Sequence, residues 1–211
     1  MSTNFKYELT QQTNEMPSQM PGGIHSDVEL ASIRFEDLTP NNPIKVLRFT
    51  FRKDGMQFKY TELPVNEEAI ARWNFRKSTF EETVGRKYRE VGERLKHIYM
   101  AITNETRVKL ESNTWDEFCE EYVLLTKDKY QGKKFGIKVV YNEKGYPTFP
   151  DRAIQPFIVA ADQVAKLKVD PQHDRIFPPE PQEERVEVSE EYYPTGVTGP
   201  SQEGCDEELT F

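Results

Sequence analysis

The stretch IKVLRFTFRKDGMQFKYTEL (residues 44–63) consists of two alternating apolar and polar runs that meet at Asp54-Gly55. An Asp-Gly pair between alternating runs is the strongest short-range signal for a β-hairpin with a two-residue turn. The predicted cross-strand pairs are Phe51–Phe58, Phe49–Tyr60, Arg52–Gln57 and Thr50–Lys59. Because side chains alternate between the two faces of a strand, the hairpin should carry one aromatic face and one basic, polar face.

The segments around the hairpin predict further elements. VELASIRFEDL (28–38) predicts a strand before it, and TPNNP (39–43) supplies the turn between them. After the hairpin, apolar residues recur at spacings of four and three from Phe80 to Ile102, behind a Thr79/Glu82 capping box, which predicts an amphipathic helix. A second helix is expected from Thr114. Two strands follow, within 133–150 and within 156–161.

Three strands, a helical segment and two more strands is the element order of the OB-fold, a small Greek-key barrel. The sequence therefore predicts a β-barrel with a helical insertion, an OB-fold-like α+β architecture with two helices between the third and fourth strands. An unspecified α+β sheet with its helices on one side fits the same order.

Composition divides the chain into three parts. Residues 1–23 are predicted to be a flexible arm or an edge segment, residues 24–169 the globular domain, and residues 170–211 a disordered acidic tail. From Pro178 onward there are ten acids and one arginine, a net charge of −9, and since the whole chain carries −8, the first 177 residues carry +1. The acidity belongs to the tail, and the domain has enough Lys and Arg to build a basic surface.

Several classes of protein find no support in the sequence. Two cysteines, without zinc-type spacing, favour a reducing compartment, and neither a signal peptide nor a long apolar run is present. We expect a soluble protein of the cytoplasm, the host cytoplasm if it is phage-encoded. Without a phosphate loop, HExxH or GxSxG motif, the expectation is no enzyme, no cofactor and no metal.

Cations and aromatic residues together suggest a surface for single-stranded nucleic acid, since cations neutralise phosphates and aromatic rings stack on bases. The candidates on the hairpin are Lys45, Arg48, Arg52, Lys53 and Lys59. Those in the following segment are Arg72, Trp73, Phe75, Arg76 and Lys77, and those in the later strands and turn are Lys133, Lys134, Lys138 and Tyr146.

Each group also has a plainer interpretation. The cations could form an ordinary solvated surface. Trp73 could cap the end of a barrel, with Phe75 or Phe80 as a hydrophobic staple for the helix. The row Phe49, Phe51, Phe58 and Tyr60 is expected to fill the core more readily than to stack on bases.

The last eight residues, GCDEELTF, place Phe211 behind a run of carboxylates. This ending resembles the acidic tip of single-stranded DNA-binding proteins from bacteria and their phages. The resemblance implies a partner-binding tip formed by Asp206, Glu207, Glu208, Leu209 and Phe211. It ends in Leu-Thr-Phe where the bacterial proteins end in Ile-Pro-Phe, so a phage polymerase, helicase or primase is as good a candidate partner as a host protein.

PGGIHSDVELASIRFED (21–37) and KKFGIKVVYNEKGYPTFPDRAIQPFI (133–158) are similar in cadence to phage OB-fold proteins that coat single strands. The resemblance implies a sequence-independent single-stranded DNA-binding protein of replication, recombination and repair, which could form a homo-oligomer. A virion or assembly protein with an acidic interaction tail is the alternative, and a metal-dependent nuclease is a weaker one.

Overall fold

The computed structural model describes residues 17–75, 78–107, 110, 112–151 and 155–179. The strands are β1 Ser18–Gln19, β2 Gly23–Thr39, β3 Asn42–Lys53, β4 Met56–Glu62, β5 Lys134–Tyr141, β6 Pro147–Thr148 and β7 Ile158–Ala160. The helices are α1 Glu67–Ala71, α2 Phe80–Thr103 and α3 Trp115–Thr126, and a 3-10 turn covers Ala161–Lys166. No helix in these ranges is both long enough and apolar enough to cross a membrane.

The β3–β4 hairpin has the predicted turn and register. All four predicted pairs are confirmed: Phe51–Phe58, Phe49–Tyr60, Arg52–Gln57 and Thr50–Lys59. Asp54 and Gly55 both have positive φ, 47° and 76°, as a type I′ turn requires. This turn twists in the same sense as the strands, and so it fixes which side chains share a face.

The strands form a curled mixed sheet, a half-barrel, in the order β1-β4-β3-β2-β5-β6, with β7 also paired to β5. Strands β2, β3 and β4 are consecutive and antiparallel, and β5 returns after the helices to pair with the first part of β2. This arrangement, with the fourth strand beside the first, is the Greek-key order. The prediction of a barrel-like α+β fold is confirmed at this level.

Both predicted helices are present. Thr79 and Glu82 form the capping box of α2, and the hydroxyl of Thr114 accepts from the backbone N–H of Glu117 at the start of α3. The apolar stripe of α2 is buried in its second half, at Leu95, Ile98 and Ile102, whereas Tyr88 is half exposed. The short helix α1 was not predicted, because only Ile70 in it is buried and five residues give no periodicity.

The inner face of the sheet is the core. The aromatic row of the hairpin is buried, as the plainer interpretation predicted: Phe49, Phe51, Phe58 and Tyr60 are all at most 5% exposed. Phe149, which follows β6, lies across this row with ring centroids 4.8 to 5.6 Å from three of its members, and 4.6 Å from Phe157. Cys119 is also buried, and burial raises the pKa of its thiol to about 12.

One buried ion pair joins β4 to α2 beside this aromatic cluster. Arg94 donates two hydrogen bonds to Glu62, at 2.7 and 2.9 Å, and a third to the backbone carbonyl of Asp151 at 3.1 Å. The hydroxyl of Tyr60 also donates to Glu62. Burial and then the charge of Glu62 raise the pKa of Tyr60 well above its usual value, so the phenol stays protonated and available as a donor.

The limits of the folded body differ from the predicted ones at both ends. The body was expected to begin near Ile24, but β1 pairs in parallel with β4 and Met20 is completely buried. The tail was expected to begin at residue 170, yet the backbone N–H of Tyr141 donates to the carbonyl of Arg175 at 2.7 Å. We call residues 167–179 the strap, because they run along β5. The amino-terminal residues 1–16 and the tail from 180 lie outside the described residues.

The Glu62–Arg94 pair predicts a clear stability effect. Glu62→Gln should lower the free energy of unfolding by up to about 3 kcal/mol, the low end for a buried pair, because it leaves the mostly buried Arg94 guanidinium without a counter-charge. The double variant Glu62→Leu/Arg94→Met removes both charges and should recover most of that loss. Chemical unfolding of the three proteins measures these differences.

Glu93→Gln is the matched control, since it breaks the exposed Lys96–Glu93 pair on the same helix. An exposed pair contributes at most about 1 kcal/mol. If Glu62→Gln were no more destabilising than Glu93→Gln, the stability of the fold would not depend on Glu62 as the counter-charge of Arg94.

Candidate nucleic-acid interface

The outer face of β2, β3 and β4 carries a group of cations that we call the basic face: Arg34, Arg48, Arg52 and Lys59. Alternation along each strand places them opposite the buried aromatic residues. Arg34, Arg52 and Lys59 are exposed, and Arg48 is partly buried. The hairpin register thus divides β3 and β4 between a packed inner face and a cationic outer face.

Charge on the basic face is incompletely compensated. Arg48 pairs with Glu36 and also donates to the carbonyl of Leu38 at 3.1 Å. Arg34 lies directly opposite Arg48 in the β2–β3 ladder, where two like charges destabilise the pairing. Among the described residues, Arg34, Arg52 and Lys59 make no ion pair. An anion bound there would relieve this repulsion.

A cleft at the hairpin end extends the basic face. It has a volume of about 880 Å³ and contains three predicted residues, Arg52, Lys53 and Lys134. Lys134 pairs with Glu29 at 2.5 Å, and this ammonium lowers the pKa of the Glu29 carboxyl. Three acids in all line the cleft beside the three cations: Asp27, Glu29 and Asp54. The cleft is therefore polar but close to neutral, and the net positive charge lies on the open sheet.

Three of the predicted lysines bond to other groups of the protein. Lys45 pairs with Asp37 at 2.9 Å, and Lys133 donates to the carbonyl of Ile102 at the carboxyl end of α2. Lys138 was predicted among the nucleic-acid contacts, but its side chain is 3% exposed and its ammonium lies 2.6 Å from Asp174. The strap covers the outer face of β5, and so Lys138 is a structural residue.

The cation-aromatic segment after the hairpin is only partly described. Arg72 is exposed and Trp73 is 50% exposed, so Trp73 is not a core residue. Phe75 packs edge-on against Phe80, the first residue of α2, with ring centroids 6.3 Å apart, which favours the hydrophobic staple. Arg76 and Lys77 lie outside the described residues.

Of the remaining predicted residues, only Tyr146 lies within the described residues, and it is not on the β2–β4 strands. Tyr146, in the turn between β5 and β6, is 64% exposed. The predicted partner-binding tip, Asp206, Glu207, Glu208, Leu209 and Phe211, lies outside the described residues.

Sequence reasoning missed Arg34. The strand that contains it was predicted, but its register against β3 was not, because a bulge between Leu30 and Ser32 shifts the pairing by one residue. The available signal was the stretch Ser32, Ile33, Arg34, in which an apolar residue separates two polar ones.

Removing the unpaired cations should change the salt dependence of binding to single strands. Replacing Arg34, Arg52 and Lys59 together with Ala should flatten the slope of log affinity against log salt by about 2, since each lost phosphate contact contributes about 0.7 on a single strand. A salt titration with fluorescent oligo-dT measures this slope.

The matched control replaces Arg86, Arg89 and Lys96, which removes the same number of charges from the exposed side of α2. It should leave the slope almost unchanged. Equal effects of the two triple variants would mean that net charge, and not the basic face, governs the binding.

Comparison of the chain with protein-family models, with curated protein sequences and with solved structures gave no significant match. The most informative feature is the open basic face, where three cations make no ion pair with any described residue, on the outside of a sheet whose inner face is filled.

Proposed function

We propose that this protein binds single-stranded DNA independently of sequence, through the basic face, and has no catalytic role. The observation that carries the proposal is that Arg34, Arg52 and Lys59 lie on neighbouring strands and make no ion pair within the described ranges, although Glu29 lies opposite Arg52 in the β2–β3 ladder. Phosphate contacts do not depend on the base, and they account for most of the affinity in non-specific binding.

The sheet topology supports an OB-fold as the finer description. The meander β2-β3-β4, the intervening helices, and the return of β5 beside β2 with β7 paired to β5 follow the order of that barrel. The hairpin β3–β4 then corresponds to its second and third strands. In OB-folds this part of the sheet, with neighbouring loops, binds oligonucleotides. The basic face lies on these strands.

Single strands suit this surface better than duplex does. A flexible strand can follow the curvature of the outer face and bring successive phosphates to cations on adjacent strands, which lie about 4.8 Å apart. Duplex DNA is stiff over the length of such a domain, so it can touch fewer of these cations without bending. The preference therefore follows from the shape of the surface as well as from its charge.

The acidic tip completes the proposal. By its resemblance to the tips of bacterial and phage single-strand binding proteins, the segment Asp206–Phe211 would recruit replication proteins, a polymerase, helicase or primase, while the domain holds DNA. An aromatic anchor with flanking carboxylates fits an apolar pocket with a basic rim.

A direct test compares fluorescent oligo-dT with a duplex of matched length at moderate salt. The proposal predicts clear preference for the single strand and no cleavage of either DNA when Mg²⁺ or Mn²⁺ is added. Absent binding to both would contradict it and favour an assembly protein. Cleavage would favour the nuclease alternative.

The tip predicts a separation of two activities. Deleting Cys205–Phe211 should leave the melting temperature unchanged and should maintain or raise affinity for oligo-dT, because three acids are removed and every cation remains. Binding to replication proteins should fall, and Phe211→Ala alone should cost about 2 kcal/mol or more of that interaction. A truncated protein without a cooperative melting transition would show instead that Phe211 belongs to the core.

A further inference from the structure

Two exposed aromatic side chains belong to backbone stretches that lie side by side, at the end of β5 that is far from Lys134. Tyr146 is 64% exposed in the turn after β5, and Phe177 is 73% exposed in the strap. Within the described part of the chain, neither ring makes a ring contact or a side-chain hydrogen bond. Composition assigned the region of Phe177 to the tail, and so its proximity to the segment of Tyr146 could not be predicted.

Backbone contacts bring the two segments together. The N–H of Tyr141 donates to the carbonyl of Arg175 at 2.7 Å, and a Cβ placed on Gly145 would lie 3.4 Å from the Pro179 ring. Tyr146 directly follows Gly145, and Phe177 precedes Pro179 by two residues. Both rings are therefore presented by adjacent, packed stretches of backbone.

The turn that carries Tyr146 is fixed by its own hydrogen bonds. The side-chain oxygen of Asn142 accepts from the N–H of Lys144 at 3.0 Å and of Tyr146 at 2.9 Å, and the N–H of Asn142 donates to the carbonyl of Tyr146. Opposite the turn, the buried Lys138–Asp174 pair holds the strap. Because both backbone stretches are already held in place, a ligand that binds the two rings has little backbone left to order, and so it loses little backbone entropy.

We propose that Tyr146 and Phe177 form an aromatic platform on which bases of the bound single strand stack, a proposal that rests on the function inferred above. The charges around the rings suit a polyanion: Lys144 and Arg175 are exposed, and Glu143 is the one acid within residues 142–146 and 175–179. Stacking accepts any base, as sequence-independent binding requires.

The platform lies where a strand leaving the basic face can reach it. The turn of Tyr146 leads directly into β6, and β6 lies against β4, the strand that carries Lys59. Cations on the sheet would then hold phosphates while the platform holds bases beyond the edge of β4. This division is the usual one in single-strand grooves, although here one of the two rings comes from the strap.

Stacking and phosphate contact can be separated experimentally. Tyr146→Ala and Phe177→Ala should each weaken affinity for oligo-dT about tenfold, as expected for one stacked base, without changing the slope against salt. Phe177→Tyr should retain affinity, whereas Phe177→Leu should lose it, because only the former keeps an aromatic ring. Melting temperatures should remain those of the wild type, and Leu124→Ala, which removes an exposed apolar side chain of α3, is the control.

An oligomer of abasic nucleotides gives the sharpest comparison. Wild type and the Tyr146→Ala/Phe177→Ala double variant should bind it equally, because no base is left to stack. If wild type binds oligo-dT and the double variant binds it as tightly, the platform is excluded while the basic face stands. If the double variant loses affinity for the abasic oligomer as well, the rings do not act by stacking. If wild type does not bind oligo-dT at all, the proposed function itself fails.

Discussion

The hydrogen-bonded pair of Glu62 and Arg94 is the constraint on which the arrangement of the half-barrel depends. It ties the last residue of β4 to the middle of α2 and, through Asp151, to the segment between β6 and β7. Beside this pair, Phe149 packs on the aromatic residues of the hairpin and fills the inner face. A buried ion pair contributes little net stability compared with apolar residues, but displacing either partner here would leave a charge inside the protein without its counter-charge.

Closing the inner face determines what the outer face can do. Phe49, Phe51, Phe58 and Tyr60 are committed to the core, so they cannot stack on bases. The alternate positions on the same strands are free to carry cations, and the I′ turn keeps the two sets on opposite sides. Base stacking, if the protein uses it, must then come from elements outside the meander, which is where the exposed rings Tyr146 and Phe177 lie.

The features that could be predicted from the sequence are those determined by short-range patterns. The hairpin register followed from Asp54-Gly55, and the start of α2 from Thr79 and Glu82. The features that could not be predicted depend on pairing between distant segments. In the sequence Lys138 looks like a surface lysine, because its partner Asp174 lies 36 residues later. Phe177 was assigned to the tail because the sequence does not show that its segment packs along β5. Arg34 was missed because a bulge decides its register.

A single strand that binds on the outer face of the β2–β4 meander should perturb the backbone amides of that meander. An NMR titration of the isotope-labelled full chain with oligo-dT measures this, because each backbone amide reports separately. The largest chemical-shift changes are expected at and beside Arg34, Arg48, Arg52 and Lys59, with the amides of α2 almost unaffected. Changes concentrated on α2 and α3, with the meander unchanged, would mean that the DNA does not bind the basic face.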